Sequence, residues 1–224
     1  MSKRLVVAID GPAGSGKSSI SRVSAMKTGL KYIDSGAVYR AITLYILEKY
    51  DIIDDNTNYI DDIQYLNIVQ FFENNGSIKT LINRNDVSKA IRDERIAQNI
   101  GKIADKQEIR EYVNRLLRKW AEKESIIMDG RDVGTIIFPG AELKIFLDAS
   151  VEVRAQRRIK EYREMGKNVD ENSVKKQIIQ RDKEDTSRKY GALKKADDSV
   201  YIDTSNLTKN EVIDKVVALI SEHV

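Results

Sequence analysis

The sequence predicts an α/β chain, a parallel sheet flanked by helices, and three observations carry that prediction. The first is Leu5-Val6-Val7-Ala8-Ile9-Asp10, a short run rich in β-branched residues, followed directly by Gly11-Pro12-Ala13-Gly14-Ser15-Gly16-Lys17-Ser18. An apolar run of that length reads as a strand buried on both faces. The second is a repeat of the same topology: Leu30-Lys31-Tyr32-Ile33, then Asp34-Ser35-Gly36, then helical spacing from Ala37 to Lys49. The third is that Ser125 to Asp129, Leu143 to Asp148 and Ser199 to Asp203 are short apolar runs that each end in an acid. Strands that alternate with helices in this way open their connecting loops at one carboxyl edge of the sheet, where ligands bind.

The stretch after the first strand fits G-x-x-x-x-G-K-[ST], a loop that cradles phosphates. Its glycines let the backbone turn N–H groups inward around an anion. Lys17 supplies a point charge for the outer phosphates, and Ser18 offers a hydroxyl to Mg2+. The helix predicted from Ser19 to Met26 adds the positive end of its dipole to the same place.

Between about Asp51 and Glu124 the texture changes. Asp54 to Asn58 is a polar linker. Leu66 to Phe72 and Ser77 to Ile82 read as strands joined through Asn74-Asn75-Gly76, with Asp86-Val87-Ser88 as an edge. One helix is expected through Ile91, Ile96, Ile100 and Ile103. A second carries Ile109, Val113, Leu116, Leu117 and Trp120 on one stripe, which makes Trp120 a core residue. The block reads as an insertion, so the chain divides into 1–50 and 125–224 as a core and 51–124 as an inserted α+β unit. After the strand at Leu143 to Asp148, Ser150 caps a helix from Val151 to about Met165. Asn172 or Ser173 caps another from Val174 to about Lys189. Thr208 caps the last helix, with Val212, Ile213, Val216, Val217 and Ile220 inward.

Composition narrows the function. Hydrophobic residues make 41% and charged residues 33% of the 224, and the net charge is only +3, which suits a soluble enzyme and does not call for nucleic acid. Cysteine is absent, excluding disulfides and thiolate metal sites. The single histidine, His223, sits beside the C-terminus, away from any motif. There is no membrane-length apolar run and no signal-peptide pattern, so a cytoplasmic protein is expected; it is also expected to act as a monomer.

A phosphate loop alone fits a GTPase, a motor ATPase or a small-molecule kinase. Neither Asn-Lys-x-Asp nor Asp-x-x-Gly occurs, which removes the means by which regulatory GTPases read guanine and sense the terminal phosphate. Phosphoryl transfer to a small acceptor remains, and it requires arginines to offset the repulsion between two phosphate groups. Arg40 follows the second loop, and Arg131 lies in the loop after Asp129. Arg154, Arg157 and Arg158 share one helix and cannot all face one way. Arg181, Asp185 and Arg188 fall at helical spacing on one face. Asp129 is placed to orient Mg2+ from the end of its strand.

Four strings together are similar to the bacterial cytidylate kinases: Ile9 to Lys17, Asp34-Ser35-Gly36-Ala37-Val38-Tyr39-Arg40, Asp129-Gly130-Arg131-Asp132-Val133-Gly134-Thr135, and Lys144 to Ala149. The resemblance covers nearly the whole chain. It implies a P-loop fold with an inserted nucleoside-monophosphate-binding domain and a short helical lid at about 151–190. It also implies transfer of the γ-phosphoryl group of ATP to CMP or dCMP with Mg2+. By that likeness Gly11, Pro12, Ala13, Gly14, Ser15, Gly16, Lys17, Ser18 and Ser19 hold ATP, with Arg157 and Arg158 closing over it. Ser35, Arg40, Arg110, Arg131, Asp132, Arg181, Asp185 and Arg188 line the CMP site. Arg181 and Asp185 fall at the pentose; Arg40, Arg131 and Arg188 fall at the acceptor phosphate. Lys17, Asp129, Arg131 and Arg188 are then the expected catalytic set. Other acceptors on the same fold, UMP or shikimate, and a nucleotide-dependent regulator without transfer are the competing readings. One departure stands out: Gly101 occupies the position of a family serine that helps recognise cytosine. Lying within a helical run, it implies either close helix packing or a missing contact to the base.

Overall fold

A computed structural model describes residues 4–54, 56–166 and 168–223. Its main sheet has five parallel strands in the order β2-β6-β1-β7-β8. These are β1 (Val6–Asp10), β2 (Lys31–Asp34), β6 (Ile126–Gly130), β7 (Leu143–Asp148) and β8 (Val200–Asp203). β1 is central, and alternation along it feeds both faces: Val7 and Ile9 point to one side, Ala8 to the other. The first side is covered by α1 (Lys17–Thr28) and α8 (Lys209–Ser221) through Ile20, Ala25, Val212, Val216 and Ile220. Thr208 caps α8 with a complete capping box to Glu211, as its sequence predicts.

The other face carries α2 (Ser35–Tyr50) and, beyond it, the inserted segment. A three-stranded antiparallel sheet, β3 (Ile68–Phe72), β4 (Ile78–Ile82) and β5 (Asn85–Asp86), is accompanied by α3 (Ile60–Ile63), α4 (Glu94–Ala104) and α5 (Gln107–Ala121). α3 has no counterpart in the sequence reading. The long helix expected from Ile91 is broken, because Asp93 adopts extended backbone and its carboxylate caps Arg95 N–H. Ile91 therefore sits in a separate 3-10 turn, Ala90–Arg92. One apolar cluster runs from Met128 and Ile126 in the sheet through Ile42 and Ile46 to Ile103, Ile109 and Leu117, with Trp120 packed at its margin.

The remaining helices, α6 (Val151–Glu164) and α7 (Glu171–Ser187), form a hairpin with a small core of its own, Ala155, Ile159, Val174 and Ile178. Ser150 caps α6 as expected. The cap of α7 is Asp170, whose carboxylate accepts from Ser173 N–H, rather than Asn172 or Ser173. α7 stops at Ser187, so Arg188 follows it in extended backbone and does not continue the helical face of Arg181.

Strand register sets the position of the site. Asp34 pairs with Asp129, Ile9 with Asp129 and Asp10 with Gly130, which brings three carboxylates to one edge of the sheet. Because one apolar cluster joins the inserted segment to the sheet, unfolding should be a single event. In urea, fluorescence of Trp120 in the insertion and far-UV circular dichroism of the whole chain should share one midpoint. Ile103→Ala should lower both by the same amount, a loss of about 2–5 kcal/mol. Separate midpoints would show that the insertion unfolds alone.

Candidate active site

The loop from Gly11 to Gly16 crosses the end of β1 in left-handed backbone at Gly11, Gly14 and Gly16. At Gly11 the requirement is also spatial, since a Cβ there would lie 2.0 Å from the carbonyl oxygen of Leu147 on β7. Lys17 folds back over the loop, its Nζ donating to Pro12 O at 2.6 Å and to Ser15 Oγ at 3.3 Å. Burial and the charge of Arg131 pull it well below the ordinary lysine value, against the attraction of Asp129 and Asp10. Ser18, in the first turn of α1, donates to Asp129 Oδ2 at 2.7 Å. Ser19 turns back to Gly16 O at 3.0 Å.

Asp129 closes the other side of this loop. Burial, and then the negative charge of Asp34, push its pKa up to about 6. Asp10 is also raised to about 6 by burial, although it accepts backbone N–H groups from Val133 at 2.9 Å and Gly134 at 2.7 Å. Those bonds fasten the end of β1 to a π-helical turn, Val133–Ile137, so the loop carrying Arg131 and Asp132 is held directly against the phosphate loop.

The arginines expected for the acceptor converge on one carboxylate. Asp185 is completely buried; its Oδ2 accepts from Arg131 Nε at 2.6 Å, while Oδ1 lies 2.9 Å from Arg188 Nη2 and 3.4 Å from Arg181 Nε. Burial alone would raise its pKa, but the three guanidinium groups hold it below the usual carboxylate range. Arg188 also pairs with Asp105 at 2.6 Å, joining the end of α7 to the inserted segment. Arg40 stands nearby on α2, pulled down to about 10 by burial and by the charge of Arg92, with Arg181 and Arg158 adding to the same effect.

Arg110 and Asp132 are paired with each other, both nearly inaccessible. Arg110 also donates to Ala104 O at 3.0 Å and lies over the ring of Tyr39 at 5.4 Å. Gly191, at φ +69, covers it so closely that a Cβ would fall 2.1 Å from Arg110 Nη2. Arg110 Nε and the hydroxyl of Tyr39 have no partner in this buried pocket. Ser35 lies at the same edge, its hydroxyl donating to Asp129 O at 2.6 Å. At Gly101, in the last turn of α4, nothing lies within 4 Å of where a Cβ would stand, so close packing does not account for this glycine.

Arg157 and Arg158 are not brought together. Arg157 lies behind the phosphate loop, donating to Thr204 Oγ1 at 3.0 Å, to Thr204 O at 2.7 Å and to Ser15 O at 3.5 Å. Arg158 pairs with Glu161 at 2.9 Å and stacks on Tyr162. The side chain that binds the loop most directly is Arg154, which the sequence left unassigned. It donates to Ala13 O at 3.0 Å and grips Asp182 of α7 through two bonds, 2.9 and 2.6 Å. Asp10, Tyr32 and Arg92, which pairs with Asp34 at 2.8 Å, also stand at the site with no sequence motif to announce a role. Spacing from Arg154 to Asp182 crosses two helices and their turn, so no local pattern announces that pair.

A phosphate loop on the central strand of a parallel sheet, with a cluster of arginines beside it, defines a P-loop phosphotransferase. The family model for cytidylate kinase matches residues 7–222. A cytidylate kinase of Lactobacillus johnsonii is 41% identical over 221 residues, covering 96% of this chain and 94% of that protein. One from Fusobacterium nucleatum is 43% identical over 209 residues, with 93% and 94% covered, and one from Bacillus licheniformis is 40% identical over 222, with 99% and 98% covered. The chain belongs to the cytidylate kinase family. In fold it resembles an uncharacterised protein of Eubacterium ventriosum (TM-score 0.54, 14% identity, 97% and 99% covered). It likewise resembles a Thermus thermophilus protein (TM-score 0.50, 12% identity, 100% and 99% covered).

Raised acids lose their charge on the acid side of neutrality. Asp10 and Asp129, both at about 6, act as carboxylates here, so kcat/KM for ATP should fall as pH drops through about 6. Ordinary carboxylates would hold their charge to about pH 4, so a profile flat down to about pH 5 would contradict these assignments.

Proposed function

We propose that the chain transfers the γ-phosphoryl group of ATP to CMP and dCMP, releasing ADP with CDP or dCDP. The observation that carries this reading is the gathering of Arg131, Arg181 and Arg188 around buried Asp185, next to the phosphate loop. Planar guanidinium forks suit an acceptor phosphate and offset its repulsion from the donor. Gly11, Pro12, Ala13, Gly14, Ser15, Gly16, Lys17, Ser18 and Ser19 hold ATP, with Lys17 leaving Pro12 O and Ser15 Oγ to meet its outer phosphates. Arg40, Arg131 and Arg188 take the acceptor phosphate, and Arg181 with Asp185 the pentose. Arg110 and Asp132 face the base, where Arg110 Nε and the Tyr39 hydroxyl are donors still without a partner.

The donor set fits Mg2+. Ser18 Oγ and Asp129 Oδ2 are two hard oxygen donors on one spot, and among the described residues no three His, Asp or Glu side chains are grouped to hold a metal ion. Such an arrangement suits an ion that takes most of its oxygens from phosphates and water. Bound there, Mg2+ would neutralise charge between the phosphates of ATP. No general base is required, because the acceptor phosphate is already ionised at neutral pH. Positioning and charge neutralisation therefore supply the rate, and the α6–α7 hairpin excludes water from the transfer.

The inserted segment 51–124 acts as the monophosphate-binding unit and about 151–190 as the lid. Arg157 backs the phosphate loop through Ser15 O, and Arg158 reaches ATP only after leaving Glu161. Donor and acceptor groups all lie within one chain, which supports action as a monomer. Absence of cysteine and of any helix, among the described residues, long and apolar enough to cross a membrane fits a cytoplasmic enzyme of pyrimidine nucleotide metabolism.

ADP release measured with CMP, dCMP, UMP, AMP and shikimate tests the assignment; CMP and dCMP should be the preferred acceptors, and preference for another would displace it. The same panel tests Gly101. The open space around it admits a serine, so Gly101→Ser should raise the CMP/UMP ratio of kcat/KM by about two- to tenfold, the worth of one neutral hydrogen bond. KM for ATP should stay constant. An unchanged ratio in the folded variant would remove Gly101 from the base site.

A further inference from the structure

Asp129 is held from both sides. Ser18 donates to its Oδ2 at 2.7 Å, and the hydroxyl of Tyr32 donates to its Oδ1 at 2.7 Å. With one donor on each oxygen, the carboxylate can neither swing nor exchange its two oxygens. Tyr32 is buried on β2, two residues before Asp34, and pairs in register with Ile127, two residues before Asp129. The same backbone ladder thus places the phenol beside the carboxylate. Its ring is braced edge-on by Phe72 of β3, with centroids 5.9 Å apart and planes at 77°.

We propose that Tyr32 is a positioning residue of the donor site, locking Asp129 so that the oxygen shared with Ser18 faces the cation carried by ATP. The inference rests on the reading of Ser18 and Asp129 as the Mg2+ side of that site. It goes further in tying this oxygen, through Tyr32 and Phe72, to the sheet of the inserted segment. Donor metal and acceptor-binding unit then share a physical connection: movement of β3 against β2 is felt at the carboxylate.

Tyr32→Phe removes one oxygen atom and keeps the ring and its contact with Phe72. The Mg2+ concentration for half-maximal rate at saturating ATP and CMP should rise about tenfold, the effect of one charge-assisted hydrogen bond on an equilibrium. Affinity of the enzyme for Mn2+ in the presence of ADP, followed by electron paramagnetic resonance without turnover, should weaken by a similar factor. CMP affinity measured calorimetrically without metal should stay constant. Phe72→Leu retains the hydroxyl but loosens the ring, and should move both metal readouts in the same direction by less; it decides the matter where Tyr32→Phe does not fold. Metal requirement and Mn2+ affinity unchanged in folded Tyr32→Phe, or in Phe72→Leu where Tyr32→Phe does not fold, would overturn the role of Tyr32. A wild-type enzyme whose ADP release needs neither CMP nor Mg2+ would instead overturn the reading of the site itself.

Discussion

A fully buried carboxylate surrounded by arginines is the interaction on which the cleft depends. Asp185 meets Arg131 from a sheet loop, Arg181 from its own helix and Arg188 from the segment beyond it. Three guanidinium groups so close would repel one another. The carboxylate offsets that repulsion, and removing one partner from a buried ion pair costs about 3–5 kcal/mol. Because its three partners come from different elements, Asp185 also fixes where the sheet loop and the end of α7 stand relative to each other. Arg188 extends the connection to Asp105 in the inserted segment.

A second, half-buried ion pair ties that cluster to the phosphate loop. Arg154 holds Asp182, one turn before Asp185 on α7, while donating to Ala13 O. Asp10 fastens the end of β1 to the turn that follows Arg131 and Asp132. The phosphate loop and the arginine cluster are consequently joined twice, once through the hairpin and once through the sheet. Phosphoryl transfer gains from such rigidity, since misplacement of the two phosphates by an ångström is costly in rate. The raised acids Asp10 and Asp129 accept an unfavourable burial as part of that arrangement.

Much of this was legible from the sequence where the determinants are local. β7 was read with its observed ends, Ser150 and Thr208 cap the helices expected of them, and the phosphate loop declares itself by spacing alone. Errors arose where a polar residue had two local options. Asp93 caps a helix instead of riding within one, and Asp170 captures the N–H of Ser173, which had itself been read as a cap. Arg181, Asp185 and Arg188 were correctly grouped by spacing, yet Arg188 joins Asp185 from outside the helix. Pairings at long separation left no trace in sequence pattern: Arg154 with Asp182, Arg92 with Asp34, Tyr32 with Asp129. Arg157 and Arg158 show the opposite difficulty, as adjacent residues of one motif are sent by the helix to different surroundings.

Calorimetric binding of CMP and ATP, each alone, to wild-type enzyme and to Asp185→Asn is the most direct test that this carboxylate assembles the acceptor site. Asparagine preserves the shape and removes the charge that gathers the arginines. CMP affinity should fall about tenfold or more, consistent with loss of a buried countercharge, while ATP affinity is retained. A variant that binds CMP as tightly as the wild type would contradict that role for Asp185.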